Sequence, residues 1–307
     1  MRISETALRK ELYMYRWARD KKALFFFAFP GLFLYTVFVV FPLIPEIIIS
    51  FQDHNGVISK GFVGLKNYVE IFTNQRFWTA NKNVILIALS TLFIGLPISL
   101  ALAIIIDMQN GIVRRIFKTI CFIPAVLSVT IISQLWIAIY NPQWGLLNGI
   151  LKRMGLDRLT TAWLSNESTA LICVMIVFMW QYLGFNMVLF YAGIKAIPKV
   201  YYEAALIDGA GPIKASLKIT FPLLQDVLKY VLTISLLGSI GMYLHVQMLT
   251  NGGPGDVTTT VVLFMYNTAF RGGDFGEGCA IAIIYIMECV FISFLINKFV
   301  AKEAIEF

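Results

Sequence analysis

Tyr202–Leu224 reads YEAALIDGAGPIKASLKITFPLL, a polar, glycine-containing interruption between two long apolar runs. One apolar run closes at Ile197; the other resumes at Phe221 and extends to about Leu249. A polar stretch so placed reads as the connection between two membrane helices. Within it, Pro198 suits the first turn of a helix, where a missing N–H is harmless, and Tyr201 to Ile207 suits a short helix. Gly209 and Gly211-Pro212 end that helix, because glycine tolerates a left-handed cap and proline cannot continue the ladder. Ile213 to Thr220 makes a second short helix, expected to stop at Pro222. Ala204 and Ala205 offer a small, flat surface for another protein's backbone, with Glu203 and Asp208 as charged anchors. The stretch has the physical form of a docking knob.

Composition says what kind of chain carries it. Residues of the AVILMFWYC class make up 58% of the 307 and charged residues only 14%, values a soluble domain rarely reaches. An integral membrane protein follows, and the net charge of +7 then reflects loop asymmetry rather than a nucleic-acid partner. Cys121, Cys173, Cys279 and Cys289 are scattered through apolar surroundings without disulfide or metal-ligand spacing, so no metal site is expected. The polar first 22 residues, followed by an apolar run too long for a signal-peptide core, give no cleaved signal.

A transmembrane helix needs about 20 mostly apolar residues. Six segments qualify: about Ala23 to Ile49, Val84 to Ile106, Ile116 to Tyr140, Thr169 to Ile194, Leu223 to Leu249 and Gly276 to Val300. The chain thus divides into a basic tail (1–22), an all-α six-span domain (23–300) containing the loop 199–222, and a short C-terminal tail (301–307). The tails and the even-numbered connections carry sixteen Lys and Arg, the odd-numbered connections eight. That excess places both termini and the glycine-containing loop in the cytoplasm. The N-terminal tail is expected to be either an amphipathic helix on the inner membrane surface or a loosely ordered topology signal.

The run Glu203-Ala204-Ala205, then Gly209, Ile219 and Pro222, is similar to the EAA loop of permease subunits of binding-protein-dependent ABC importers. The resemblance implies the type I importer permease fold and a loop that inserts into a cleft of a separate ATPase. Glu203, Ala204, Ala205, Asp208, Gly209, Ala210 and Gly211 would then be the coupling residues. Gly64-Leu65-Lys66-Asn67-Tyr68 and Thr250-Asn251-Gly252-Gly253-Pro254-Gly255 resemble hallmarks of the sugar-importing branch, in its larger-subunit type related to maltose and glycerol-phosphate importers. Phe122-Ile123-Pro124-Ala125, Trp136 with Asn141-Pro142, Trp163-Leu164 and Ala192-Gly193 agree. Partners implied are a second similar permease, an ABC ATPase dimer holding ATP and magnesium, and an extracellular or periplasmic sugar-binding protein, all at a bacterial cell (inner) membrane.

No phosphate loop, HExxH or GxSxG is present, and the two histidines, His54 and His245, are expected at the outer side. The chain reads as a transport subunit rather than an enzyme. A solute path wants polar or small groups facing the bundle interior. On the fifth span Ser235, Gly238, Ser239 and Met242 recur on one helical face, beside Tyr243. On the fourth, Gln181, Tyr182, Phe185 and Asn186 combine amides with aromatic rings, the chemistry a sugar's hydroxyls and C–H faces require. Aligned through the EAA-like and Asn-Gly-Gly-Pro landmarks, Gln181, Tyr182, Phe185, Ser235, Gly238, Ser239 and Met242 resemble the sugar contacts of the maltose-type subunit. Gly238 and Met242 depart from an aromatic and an amide there, which implies a ligand of different shape. Tight helix packing through small residues is the competing reading of the serine and glycine face.

Glu288, an ionisable group inside the sixth span, is a candidate for coupling or solute contact, or for pairing with a partner helix. The expected function is a permease for a sugar, an oligosaccharide above all, driven by a partner's ATP hydrolysis. The alternative is an ion-coupled secondary transporter using Glu288. That reading predicts helices broken at mid-membrane, which the sequence does not suggest.

Overall fold

The computed structural model describes residues 21–300. The expectations for residues 1–20 and 301–307, including the amphipathic tail helix, lie outside the described residues. Four helical runs are long and apolar enough to cross a membrane alone, and two bent pairs bring the number to six.

The first span joins α1 (Lys21–Tyr35), a π-helical turn (Thr36–Val40) and α2 (Leu43–Ile49). Its Phe25–Val40 part lies exposed apart from the bundle. A hairpin of β1 (Gln52–His54) and β2 (Ser59–Phe62) follows, pairing Gln52 with Phe62, and departs from the expected all-α pattern. After α3 (Lys66–Thr73), the second span runs unbroken from α4 (Gln75–Ser90) through a π-helical turn (Thr91–Gly95) into α5 (Leu96–Asp107). The π-turn falls just before Pro97, whose missing N–H and bulky ring the wider turn accommodates.

The third span is two helices, α6 (Gly111–Val126) and α7 (Val129–Ile139), bent by 100°, rather than one from Ile116 to Tyr140. Leu127 and Ser128 are extended at the break, where the Ser128 hydroxyl caps the N–H of Ile131 at 3.4 Å. The Leu127 carbonyl accepts from Gln181 Nε2 at 3.1 Å. Such side-chain rescue makes a broken helix tolerable in a bilayer. Beyond α7 comes the short α8 (Leu146–Arg153).

The fourth span, α9 (Ala170–Ala196), is the 27-residue axis of the bundle. At Gly184 a Cβ would collide with the backbone carbonyl of Cys121, so α6 and α9 cross backbone to backbone only because glycine stands there. α10 (Lys199–Ile207) follows Pro198, which precedes the first turn instead of occupying it. The next stretch, α11 (Pro212–Ala215), a π-helical turn (Ser216–Thr220) and α12 (Phe221–Leu223), continues past Pro222. The π-turn absorbs that proline's lost hydrogen bond. A 65° bend at Leu224 leads into α13 (Gln225–Ile240).

The fifth span also differs from its expected extent. It ends at Gly241, and α14 (Leu244–Leu249) is a separate piece. Thr260 Oγ1 donates to the freed Met242 carbonyl at 2.6 Å. α15 (Val261–Tyr266) and a π-helical turn (Asn267–Arg271) lead to the sixth span, α16 (Phe275–Val300).

Three apolar clusters hold these elements: α7, α14 and the first half of α9; α3, α4 and α16; α5, α13 and the second half of α9. At the end opposite α10, Asn67 Nδ2 donates to the carbonyls of Ser50 and Gln52 at 2.9 and 3.0 Å, clamping the hairpin. There too Asn83 Nδ2 reaches the Thr259 carbonyl at 2.9 Å, and Arg76 pairs with Asp256 at 2.8 Å.

Candidate translocation site and coupling loop

A cavity of about 340 Å³ opens halfway along the second, fourth and fifth spans. Thr91, Gly95 and Ser99 come from the π-turn and the start of α5, Phe178, Met179, Tyr182, Leu183, Phe185 and Asn186 from the middle of α9, Ile234, Ser235 and Gly238 from α13, and Ala125 from the last turn of α6. No charged side chain lines it. Its polar groups are hydroxyls and one amide: Ser235 Oγ donates to Asn186 Oδ1 at 3.2 Å, and Ser99 Oγ donates to the Gly95 carbonyl at 2.8 Å. The Tyr182 ring lies against Phe178 and His245, with centroids at 5.0 and 6.0 Å. Gly238 contributes space, since a Cβ there would meet nothing within 4 Å.

Of the residues expected along the path, Tyr182, Phe185, Asn186, Ser235 and Gly238 share this cavity. Gln181, Ser239, Met242 and Tyr243 do not. Gln181 is 2% exposed, with Nε2 on the Leu127 carbonyl and Oε1 at 2.7 Å from His245 Nε2. Ser239 is fully buried, its hydroxyl donating to the Ser235 carbonyl at 2.8 Å and lying 3.0 Å from the Thr91 hydroxyl. Met242 lies past the end of α13 and joins a core cluster, so the helical face that placed it with Ser235 no longer applies. Tyr243 packs on Tyr266 with centroids 5.2 Å apart.

Thr91, Gly95, Ser99 and Phe178 were not expected at the cavity. A signal existed: the hydroxyl residues Ser90, Thr91 and Ser99 flank Gly95 and Pro97 in an otherwise apolar span. His245, expected at the outer side, is buried, with its ring against Tyr182 of the cavity wall. Glu288 is half-buried on α16 and does not line it. Among the described residues no group of three or more His, Cys, Asp or Glu gathers as a metal site would require.

At one end of the bundle α10 stands outside the fold. None of its nine residues is buried, and Leu206 and Ile207 are 75% and 87% exposed. It ends in a paired cap: the Ala210 N–H donates to the Ala205 carbonyl at 2.9 Å and the Gly209 N–H to Leu206 at 3.1 Å, with Gly209 at φ +71°. Glu203, Ala204, Asp208, Gly209 and Gly211 are exposed; Ala205 and Ala210 are half-buried. Beneath the helix, the Tyr202 and Thr220 hydroxyls lie 2.9 Å apart and Lys195 pairs with Asp107. Gly193 brings α9 close to α13, because a Cβ would touch Val227 Cγ2 at 2.8 Å. The exposed knob is thereby braced against the second, fourth and fifth spans, three of the elements that shape the cavity.

Residues 95–305 match the family described as binding-protein-dependent transport system inner membrane component. A probable ABC transporter permease protein of Bacillus subtilis, YurN, is 35% identical over 279 residues, 90% of this chain and 94% of the relative. The diacetylchitobiose uptake system permease protein NgcF of Streptomyces coelicolor is 34% identical over 319 residues, 96% of this chain and 90% of the relative. In fold, the chain resembles a subunit of a bacterial ABC transporter involved in the import of the acidic polysaccharide alginate, with a TM-score of 0.82 at 20% identity over 94% of this chain and 98% of that one. The chain therefore belongs to the binding-protein-dependent transport system inner membrane component family, the permease subunits of ABC importers.

Proposed function

We propose that this permease carries a neutral sugar, an oligosaccharide above all, across a bacterial cell membrane as one of two permease subunits driven by a separate ABC ATPase dimer. The observation that carries the coupling reading is α10, a capped helix with no buried residue that presents Ala204, Leu206 and Ile207 outward. Apolar groups so exposed on a rigid support mark a protein interface. The ATPase would sit on it and supply ATP with magnesium; the Lys and Arg asymmetry supports placing that end, and both termini, in the cytoplasm.

For the solute, hydroxyls, an amide and an aromatic ring around an uncharged cavity suit a polyhydroxylated, uncharged ligand. NgcF, a diacetylchitobiose uptake permease, supports the sugar class. Tyr182, Phe185, Asn186, Ser235 and Gly238 are the contacts we assign, the remainder coming from the second permease. Closure of the ATPase dimer on ATP would move α10 in each permease and rock the two around this cavity, after a binding protein has delivered the solute. Family membership sets aside the ion-coupled carrier, although two spans prove to be broken.

Purification of the wild type and of the double variant Glu203→Arg with Gly209→Trp from native membranes tests the reading. An ATPase and a second permease should accompany the wild type, with ATP hydrolysis, and the ATPase should be lost from the variant. A wild-type chain that emerges alone yet moves solute would overturn it.

A further inference from the structure

The connection between the third and fourth spans, at the end opposite α10, contains Asn141-Pro142-Gln143-Trp144-Gly145, a stretch that transport leaves unexplained. Asn141 Oδ1 accepts from the backbone N–H groups of Gln143 and Trp144 at 2.9 and 3.2 Å, which shapes a tight turn. A Cβ on Gly145 would press on the Ile139 carbonyl at 2.6 Å, so only glycine lets α8 begin there. Asn148, 3% exposed, then locks α8 in place: Nδ2 donates to the carbonyls of Pro142 and Thr161 at 3.1 and 3.0 Å, and Oδ1 accepts from Trp163 Nε1 at 2.7 Å. On the same inner side Leu147 packs against the core.

This scaffold fixes the opposite face of α8 outward. Trp144, Leu146, Ile150 and Met154 are 69%, 62%, 45% and 67% exposed, in a segment too well tied to turn them inward. Lys152 and Arg153 close the helix beside that stripe. The stripe also continues the exposed apolar surface of α7, whose Ile131 and Leu135 are uncovered and whose end leads directly into the turn. A short helix with an aromatic and aliphatic stripe, flanking cations and an adjoining span has the chemistry of a bilayer interface: rings and methyls at the acyl boundary, ammonium and guanidinium groups on phosphates.

The geometry points to an interfacial anchor: Trp144–Met154 lies on the membrane surface of the leaflet opposite the coupling loop, with its apolar stripe in the headgroup boundary and Lys152 and Arg153 on lipid phosphates. The occupant of this face is lipid. Anchored there, α7 stays tied to the bilayer on the far side of the 100° break, while α6 is left to move with the coupling end.

The intact complex, reconstituted in nanodiscs of phosphatidylcholine and phosphatidylglycerol, tests this. Emission of wild type minus that of Trp144→Phe isolates one of the chain's six tryptophans. Lipids brominated near the headgroup should remove most of that difference emission, lipids brominated deep in the acyl chain should remove less, and aqueous iodide should have little effect. Lys152→Glu with Arg153→Glu should abolish the change in the same emission when phosphatidylglycerol is replaced by phosphatidylcholine. Strong quenching by iodide with none by brominated lipid would make the face a solvent or binding-protein surface and overturn the proposal. Protection from both quenchers would assign it to a partner subunit, and stronger quenching by deep bromines would bury it in the span; either result also overturns it.

Discussion

Gln181 shows how one residue type supports two readings that only its neighbours separate. Its amide sits among the aromatic rings a sugar site would use, yet both ends are taken, one by the Leu127 carbonyl at the break of the third span and the other by His245. Replacing it with the similarly sized methionine strands a carbonyl and an imidazole away from water, at about 1–3 kcal/mol for each unsatisfied group. Gln181→Met is therefore expected to lower the thermal unfolding midpoint of the purified complex clearly while leaving the KM for solute nearly unchanged. A raised KM with unchanged stability would make Gln181 a solute contact after all. Asn186, one and a half turns further on, is bonded only to Ser235 among these groups and keeps its place beside the cavity.

At the scale of elements, the capped helix α10 was legible because its determinants are local. Its stop depends on Gly209 adopting a positive φ of 71°, and a glycine at that offset from an alanine-rich turn announces the cap by itself. Open space surrounds the position, so a side chain there is opposed by backbone strain alone. A β-branched residue held at such an angle costs about 1–2 kcal/mol. Gly209→Val should leave the amount of chain in the membrane unchanged while reducing the ATPase that co-purifies with it; unaltered ATPase recovery would show that the cap does not matter for docking. The broken spans were less legible. Pro124 and Pro97 lie in comparable apolar surroundings, but the second span absorbs its proline in a π-turn and the third bends by 100°. What differs is tertiary: at Leu127 a side chain from α9 is in reach to take the freed carbonyl.

For the whole molecule, Glu288 separates two kinds of energy input. It stands on α16 away from the cavity, and the coupling end of the bundle is braced through Lys195, Asp107, Tyr202 and Thr220 instead. If ATP-driven motion enters at α10, as proposed, no titrating carboxylate is needed at Glu288. Glu288→Gln should thus keep uptake ATP-dependent even if slower, as measured in proteoliposomes with and without internal ATP; loss of all uptake together with loss of a proton dependence would restore the carboxylate to the mechanism. Six candidate spans, an expected sidedness, the capped loop and the family likeness could be read from the chain alone, because hydropathy, charge asymmetry and glycine spacing are written along it. Only the tertiary structure decided where spans break and which polar residues face the cavity. Those outcomes depend on which side chain satisfies a freed backbone group, and the partners are far apart in sequence: 54 positions for Gln181 and Leu127, 64 for His245 and Gln181.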